Sequence, residues 1–250
     1  MCPNCKEPVP GSARFCGGCG QALESVVEPA RPAVSLAPAA LAEKIRRHHP
    51  AEGERRIVTV LFVDAVESTP LAEWLGEEGM YALVRGAIER MTDAVHAHEG
   101  YVATFTGDGM MALFGAPIAH EDSARRAVAA ALRMQSALKS YAEDIERRHG
   151  VSCRFRIGLN TGPVVVGTVT DDLRMDFTAI GDTVNLAARM EQSAAPGAVL
   201  ISEHTHRAVA DFFECELLGD LTVKGKADRV PGWLVIRERA VRTRFEAAAE

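Results

Sequence analysis

Ile57–Val63, IVTVLFV, closed at once by Asp64, is the stretch from which the fold can be read. The run is almost wholly apolar and rich in β-branched residues, which suits a central strand buried on both faces. After Asp64 comes a short polar turn. Then Leu71, Leu75, Val84, Ile88, Met91 and Val95 recur at spacings of mostly three and four, the pattern of one helix face, with Gly100 closing the segment. Tyr101–Phe105 and Met110–Phe114 flank Thr106-Gly107-Asp108-Gly109, and two apolar runs around a Gly-Asp-Gly turn predict a hairpin. A second long helix follows, with Val128, Leu132, Leu138 and Ile145 on one face.

Two further strands are expected, Arg154–Leu159 and Val164–Val169, then a polar excursion over 170–177 and a helix around Asp182–Gln192. Short strands are expected near Val199–Ile201, Phe212–Leu218, Leu221–Val223 and Gly232–Ile236. The order strand, helix, hairpin, helix, strand pair, helix, strands fits an α/β (α+β) sandwich of the split β-α-β, ferredoxin-like type. A hairpin inside the alternation argues against a fully parallel doubly wound sheet.

Upstream, the composition changes. Residues 25–54 hold Pro29, Pro32, Pro38 and Pro50 among many alanines and read as a linker, with Leu41–Arg47 as a short helix inside it. Before that, Cys2-x-x-Cys5 and Cys16-x-x-Cys19 form two knuckles within residues 1–24. Four thiolates so spaced suit tetrahedral zinc, and a closed set of four protein ligands makes such a site structural. A pair of redox-active dithiols, or simply unpaired thiols, is the alternative. So small a segment buries too little to fold alone, so metal binding would supply its stability. The remaining cysteines, Cys153 and Cys215, read as small buried residues.

Nearly half of the 250 residues are apolar and a quarter charged, as in a soluble globular protein. The net charge of -6 gives no bulk attraction to nucleic acid or a membrane surface. No apolar run approaches the roughly 20 residues of a membrane span. The start, MCPNCKEPVP, lacks the plan of a secretory signal, so the expected location is cytoplasmic.

The chemistry-bearing residues are few. Asp64 follows the buried strand and Asp108 sits in the hairpin turn; in this fold class the two elements are neighbours, so the carboxylates can converge. Paired carboxylates suit Mg²⁺ or Mn²⁺, which take oxygen ligands and share them with phosphates. The turn from Asp64 to Thr69 offers backbone N–H groups at a helix N-terminus, where phosphate binds well. The plainer alternatives are that Asp64 caps the helix with Ser68 or Thr69, and that Asp108-Gly109 is only a good turn dipeptide. Asn185 and Arg189, four apart, share a helix face and can hold a ribose and a phosphate, or simply face solvent. Lys224 and Lys226 flank Gly225 and can meet phosphate or water. His120-Glu121-Asp122 reads as the opening of the second helix rather than as a site.

The segments VLFVDAVESTPLAEWLG, TGDGMMALFGAPIAHEDSARRAVAAALRMQ, RIGLNTGPVVVG, FTAIGDTVNLAARMEQ and LTVKGK occur in order over about 180 residues. They resemble the successive signatures of bacterial class III adenylate (nucleotide) cyclases. The resemblance implies a catalytic domain over 55–237. It implies two divalent metals, Mg²⁺ or Mn²⁺, held by Asp64, Asp108 and the carbonyl of Ala65. Backbone amides of Val66, Glu67, Ser68 and Thr69 would take the terminal phosphates. Asn185 would orient the ribose, Arg189 would stabilise charge on the α-phosphoryl oxygens, and Lys224 or Lys226 would reach the phosphates. The substrate implied is ATP and the product cyclic AMP, at composite sites shared by a head-to-tail homodimer. The cysteine module resembles zinc ribbons that precede such domains in one multidomain branch, where an ATPase-like region follows. The tail 238–250 resembles the junction to that region.

Two positions depart from the family pattern. Members selecting adenine carry lysine four residues before the second metal aspartate, where this chain has Thr104; Thr178, the partner position, is ordinary for bacterial members. Guanine-selective members carry Glu and Cys at these positions, and this chain has neither. Glu67 stands where glycine is usual in the phosphate-facing turn. The expectation is a weak or loosely selective cyclase, with a non-catalytic nucleotide-binding, dimerising regulatory module as the alternative.

Overall fold

The computed structural model describes Cys5 and residues 54–66, 68–166, 182–221 and 230–239. In chain order the elements are β1 Glu54–Val66, α1 Ser68–Ala97, β2 Tyr101–Phe105, β3 Met110–Phe114, α2 Ser123–His149, β4 Arg154–Val166, α3 Asp182–Ser193, β5 Val199–Ser202, α4 Glu203–Val209, β6 Phe213–Leu221 and β7 Val230–Glu238. The strands form one seven-stranded sheet in the order β2-β3-β1-β4-β5-β7-β6. Helices cover both faces, which is the mixed α+β sandwich expected.

Apart from Ile57, which is 62% exposed, the apolar run in β1 is buried or half-buried, and its two faces serve different cores. Leu61, Val63 and Ala65 pack with Met91 and Val95 of α1 and Val128, Met134 and Leu138 of α2. Val58 and Val60 pack on the opposite face with Tyr101, Leu113 and Ala187 of α3. A period of two with both faces apolar is what a central strand requires.

α2 ends where its sequence says it should. Arg147, Arg148 and His149 fill the last turn, and Gly150 takes a left-handed φ of 71°, its N–H returning to Glu146 O. No helix among the described residues is long and apolar enough to cross a membrane.

Several expected boundaries are corrected. β1 runs past Asp64 to Val66, because Asp64, Ala65 and Val66 stay paired with Arg156, Phe155 and Arg154 of β4. The long helix is interrupted at Gly76, whose φ of 70° and ψ of 174° are not helical. Over the described residues 154–166 the two expected strands are one, β4, which passes through Thr161-Gly162-Pro163 without turning. Beyond Leu159, β4 has β1 on one side and, among the described residues, no strand partner on the other, which is where a proline is tolerated. β6 carries the strand expected at 212–218 on to Leu221, with an irregularity between Leu217 and Gly219, and 222–223 of the strand expected at 221–223 lie outside the described residues. Of the cysteine knuckles only Cys5 falls among the described residues, so the expected zinc ribbon lies outside them, as do residues 25–53 of the expected linker and the tail from 240 on.

Candidate active site

Antiparallel pairing of β1 with β3 sets Val63 opposite Met110, and pairing with β4 sets Asp64 opposite Arg156. The end of β1 is thereby wedged between the hairpin turn and β4. The turn is closed by Thr106 N–H donating to Gly109 O at 3.0 Å, and Gly107 supplies the positive φ of 88°. Gly109 must be glycine: a Cβ there would strike the Val63 carbonyl and stand 2.9 Å from both Asp64 Oδ1 and Thr106 Oγ1. This close approach lays the turn against Asp64.

Asp64 and Asp108 therefore face each other. Burial first, then the neighbouring charge of Asp108, pushes the Asp64 carboxyl above its ordinary range, while Arg156 pulls it back. Asp108 Oδ2 is buried with no hydrogen-bond partner. Two crowded carboxylates with an unanswered buried oxygen form a site short of a cation. Hard oxygen ligands so placed fit Mg²⁺ or Mn²⁺, which need only one or two protein carboxylates and take phosphate oxygens for the rest. Among the described residues no group of three or more His, Cys, Asp or Glu side chains forms a metal cage, so the fit is to a shared ion and not to a closed protein site.

On the other side, Arg156 is the counter-charge. Its Nε donates to Glu191 Oε1 in a charged hydrogen bond, and its Nη2 lies 3.6 Å from Asp64 Oδ2. Glu191 belongs to α3, which lies directly on β4. A Cβ at Gly158 would run into the backbone of Met190 and Glu191, so only glycine lets the helix sit there. Burial raises the Glu191 carboxyl above its usual range, with the Arg156 ion pair opposing.

The start of α3 is fixed by a buried polar network. Asn160 Nδ2 donates to Thr183 O at 2.9 Å, Ser202 Oγ donates to Asn160 Oδ1 at 2.6 Å, and Thr183 Oγ1 donates to Pro163 O at 2.8 Å. Thr161 Oγ1 joins it to Thr59 at 2.9 Å and Thr205 at 3.0 Å.

The structure thus brings Asp64 and Asp108 together, with buried Ala65 beside them. Asn185 and Arg189 lie on α3, exposed and half-exposed, and neither bonds to another described residue. Thr104 is exposed on β2, four residues before Asp108. Val66 lines a cleft of about 400 Å³ with Leu71, Trp74, Val151 and Arg154. Ser68 and Thr69 begin α1. Glu67, Thr178, Lys224 and Lys226 fall outside the described residues, as do Cys2, Cys16 and Cys19. A cavity of about 630 Å³ lies elsewhere, between α2 and the start of β4, and none of the predicted site residues lines it. Arg156, Gly158, Asn160 and Glu191 were not among the residues singled out from sequence. The strand alternation Arg156, Gly158, Asn160 opposite the apolar Ile157 and Leu159 was the available signal.

The profile of the Adenylate and Guanylate cyclase catalytic domain family matches residues 52–236. Adenylate cyclase 1 of Rhizobium meliloti is 31% identical over 193 residues, 76% of this chain and 29% of that protein. Guanylate cyclase soluble subunit beta-2 of Rattus norvegicus is 30% identical over 186 residues, 74% of this chain and 27% of that protein. The chain spans less than a third of either relative's length. The crystal structure of the adenylyl cyclase CyaB from P. aeruginosa superposes with a TM-score of 0.70 at 31% identity, covering 75% of this chain and 97% of that one.

Proposed function

The chain belongs to the adenylate and guanylate cyclase catalytic domain family, and from that premise we propose that it converts ATP to cyclic AMP and pyrophosphate at sites shared between two copies of itself. The observation that carries the reading is the Asp64–Asp108 pair with its unpartnered buried oxygen.

In this reading Asp64, Asp108 and the Ala65 carbonyl hold two divalent ions. When bound, such ions make the ribose 3′-hydroxyl more acidic and offset the charge of the triphosphate. The backbone N–H groups from Val66, at the end of β1, through Glu67 to Ser68 and Thr69 of α1 cradle the terminal phosphates. Asn185 orients the ribose. Arg189 places a guanidinium where negative charge grows on the α-phosphoryl oxygens. Asn185 and Arg189 make no bond to the carboxylate pair of their own chain, which accords with their serving a partner's pair. Lys224 or Lys226 would complete the phosphate contacts. Cys2, Cys5, Cys16 and Cys19 would carry a structural zinc, a reading that rests on their spacing alone.

Adenine is favoured over guanine because the glutamate and cysteine of guanine-selective members are absent at Thr104 and Thr178. Thr104 equally lacks the long cationic donor of adenine-selective members, and this favours a second reading, a nucleotide-sensing, dimerising module without turnover. The two separate by product analysis. Purified chain is incubated with ATP or GTP and Mn²⁺ or Mg²⁺, beside Asp64→Ala and Thr104→Lys. Cyclic AMP from the native chain and none from Asp64→Ala is expected. A gain with Thr104→Lys of about ten- to a hundredfold would match one recovered base contact of about 1–3 kcal/mol. No cyclic nucleotide from folded, dimeric protein, with or without Thr104→Lys, would leave the regulatory module.

A further inference from the structure

Arg156 stands between two carboxylates and treats them unequally. Its Nε donates to Glu191 Oε1 in a charged hydrogen bond. Its Nη2 reaches Asp64 Oδ2 at 3.6 Å, inside ion-pair distance and outside hydrogen-bond distance. A guanidinium is a rigid fork that takes a free carboxylate by two parallel hydrogen bonds when it can. Here it does not take Asp64, although β1 and β4 set the two residues directly opposite each other.

Glu191 supplies the reason. Its side chain is 8% exposed against 33% for Asp64. The deeper carboxylate loses more by going unpaired, so it holds the cation more firmly. It cannot follow Arg156 toward Asp64, because α3 is seated on β4 at Gly158 with backbone against backbone. The two oxygens of Asp64 are thereby distinguished. Oδ2 faces the held guanidinium, and Oδ1 lies over Gly109 in the turn that carries Asp108.

We propose that Glu191 is a positioning residue for the metal-binding carboxylates: by holding the Arg156 guanidinium it keeps that cation from capturing Asp64. The proposal rests on the reading of Asp64 and Asp108 as metal ligands. Glu191 touches neither nucleotide nor ion in it. Its negative charge sets where Arg156 sits, and so how much of the Asp64 charge remains for a divalent cation.

Glu191→Gln keeps the size of the side chain and removes the charge. Arg156 then closes on Asp64 and competes with the metal. Mn²⁺ binding is measured on the whole chain by loss of the free-ion electron paramagnetic resonance signal. Titrations are run with and without saturating 3′-deoxy-ATP, which lacks the attacking hydroxyl, so turnover is not the readout. Glu191→Gln should bind Mn²⁺ about tenfold more weakly, the scale of one charge-assisted hydrogen bond. The double variant Arg156→Gln/Glu191→Gln removes the competitor and should return to native affinity or better. A double variant as weak as Glu191→Gln would overturn the proposal, since the loss would then come from disturbed packing. Native affinity in Glu191→Gln would overturn it while leaving the metal reading intact. No Mn²⁺ binding by the native chain would remove the metal reading and the proposal with it. Circular dichroism accompanies each titration. Should Glu191→Gln fail to fold, the neutral double variant decides: native affinity is expected, and a tenfold loss refutes.

Discussion

Gly158→Ala is the smallest change that tests whether the seat of α3 on β4 governs the site. The added Cβ would stand 2.5 Å from the Met190 carbonyl carbon and closer still to the Glu191 backbone. Ordinary carbon contacts begin near 3.5 Å. Backbone atoms of a packed helix cannot rotate away as a side-chain tip can. α3 must therefore lift by about 1–1.5 Å, or β4 must bow by as much. Overpacking of this kind costs about 1–3 kcal/mol. For a domain of this size about 2 kcal/mol corresponds to a drop of roughly 4–8 °C in melting temperature. The same lift moves Asn185 and Arg189 and slackens the Arg156–Glu191 pair, and a misplacement of about 1 Å in a catalytic group can cost about a hundredfold in rate. The expected result is a folded protein with a modest loss of stability and a disproportionate loss of cyclase turnover. Gly79→Ala is the control: the new Cβ there meets only the Leu75 side chain, 3.1 Å at its nearest, and should leave both quantities near native. Gly158→Ala with native melting temperature and native turnover would refute the reasoning, because α3 would then be free to adjust without consequence.

Two further outcomes follow from the same geometry. Asn160→Ala removes the donor to Thr183 O and the acceptor for Ser202 Oγ; urea unfolding should show a loss of about 2–3 kcal/mol, and a loss below about 1 kcal/mol would mean the network is not holding α3. In chelator, Asp64→Asn should melt above the native chain at pH 7. The Asp64 carboxyl is raised on folding by burial and by Asp108, so the folded chain keeps a proton that the unfolded chain releases near pH 4. Stability therefore falls as pH climbs from about 4 through the raised value and stays lower above it. The two melting curves should converge at or below about pH 4, and an Asp64→Asn chain that is no more stable than native at pH 7 would contradict the crowding of the two carboxylates.

The elements legible in the sequence are those whose signal is local. IVTVLFV announces a doubly buried strand, the Gly-Asp-Gly turn announces a hairpin, and the adjacency of the two was enough to bring Asp64 and Asp108 together. What was not legible depends on partners distant in the chain. Thr161-Gly162-Pro163 carries the signals of a turn, and the strand continues through it because all three residues stay paired with Thr59, Val58 and Ile57 of β1. α4 has seven residues, too few for a helical period to register against β5 just before it. Arg156 and Glu191 are 35 residues apart, and nothing in either neighbourhood names the other. Gly158 reads as a weak strand residue until the helix that it admits is in place.

The segment RIGLN, Arg156–Asn160, explains why one strand so dominates the site. Side chains alternate along a strand. Ile157 and Leu159 point into the core beneath α1 and α2 and hold β4 rigid. Arg156, Gly158 and Asn160 point the other way and meet α3 at three successive levels: Glu191 near its C-terminal end, the Met190–Glu191 backbone, and Thr183 at its start. One residue supplies charge, the next supplies room, and the third supplies a buried hydrogen bond. The same strand sets Arg156 opposite Asp64. The carboxylate pair and the Asn185–Arg189 face are thus referenced to a single rigid strand, although the two do not touch. If the two halves serve different sites of a dimer, β4 is where their relative placement is set. Substitutions along its α3-facing side should then impair both halves together, whereas substitutions at Asp108 or Arg189 should impair one half each and complement each other in mixed dimers.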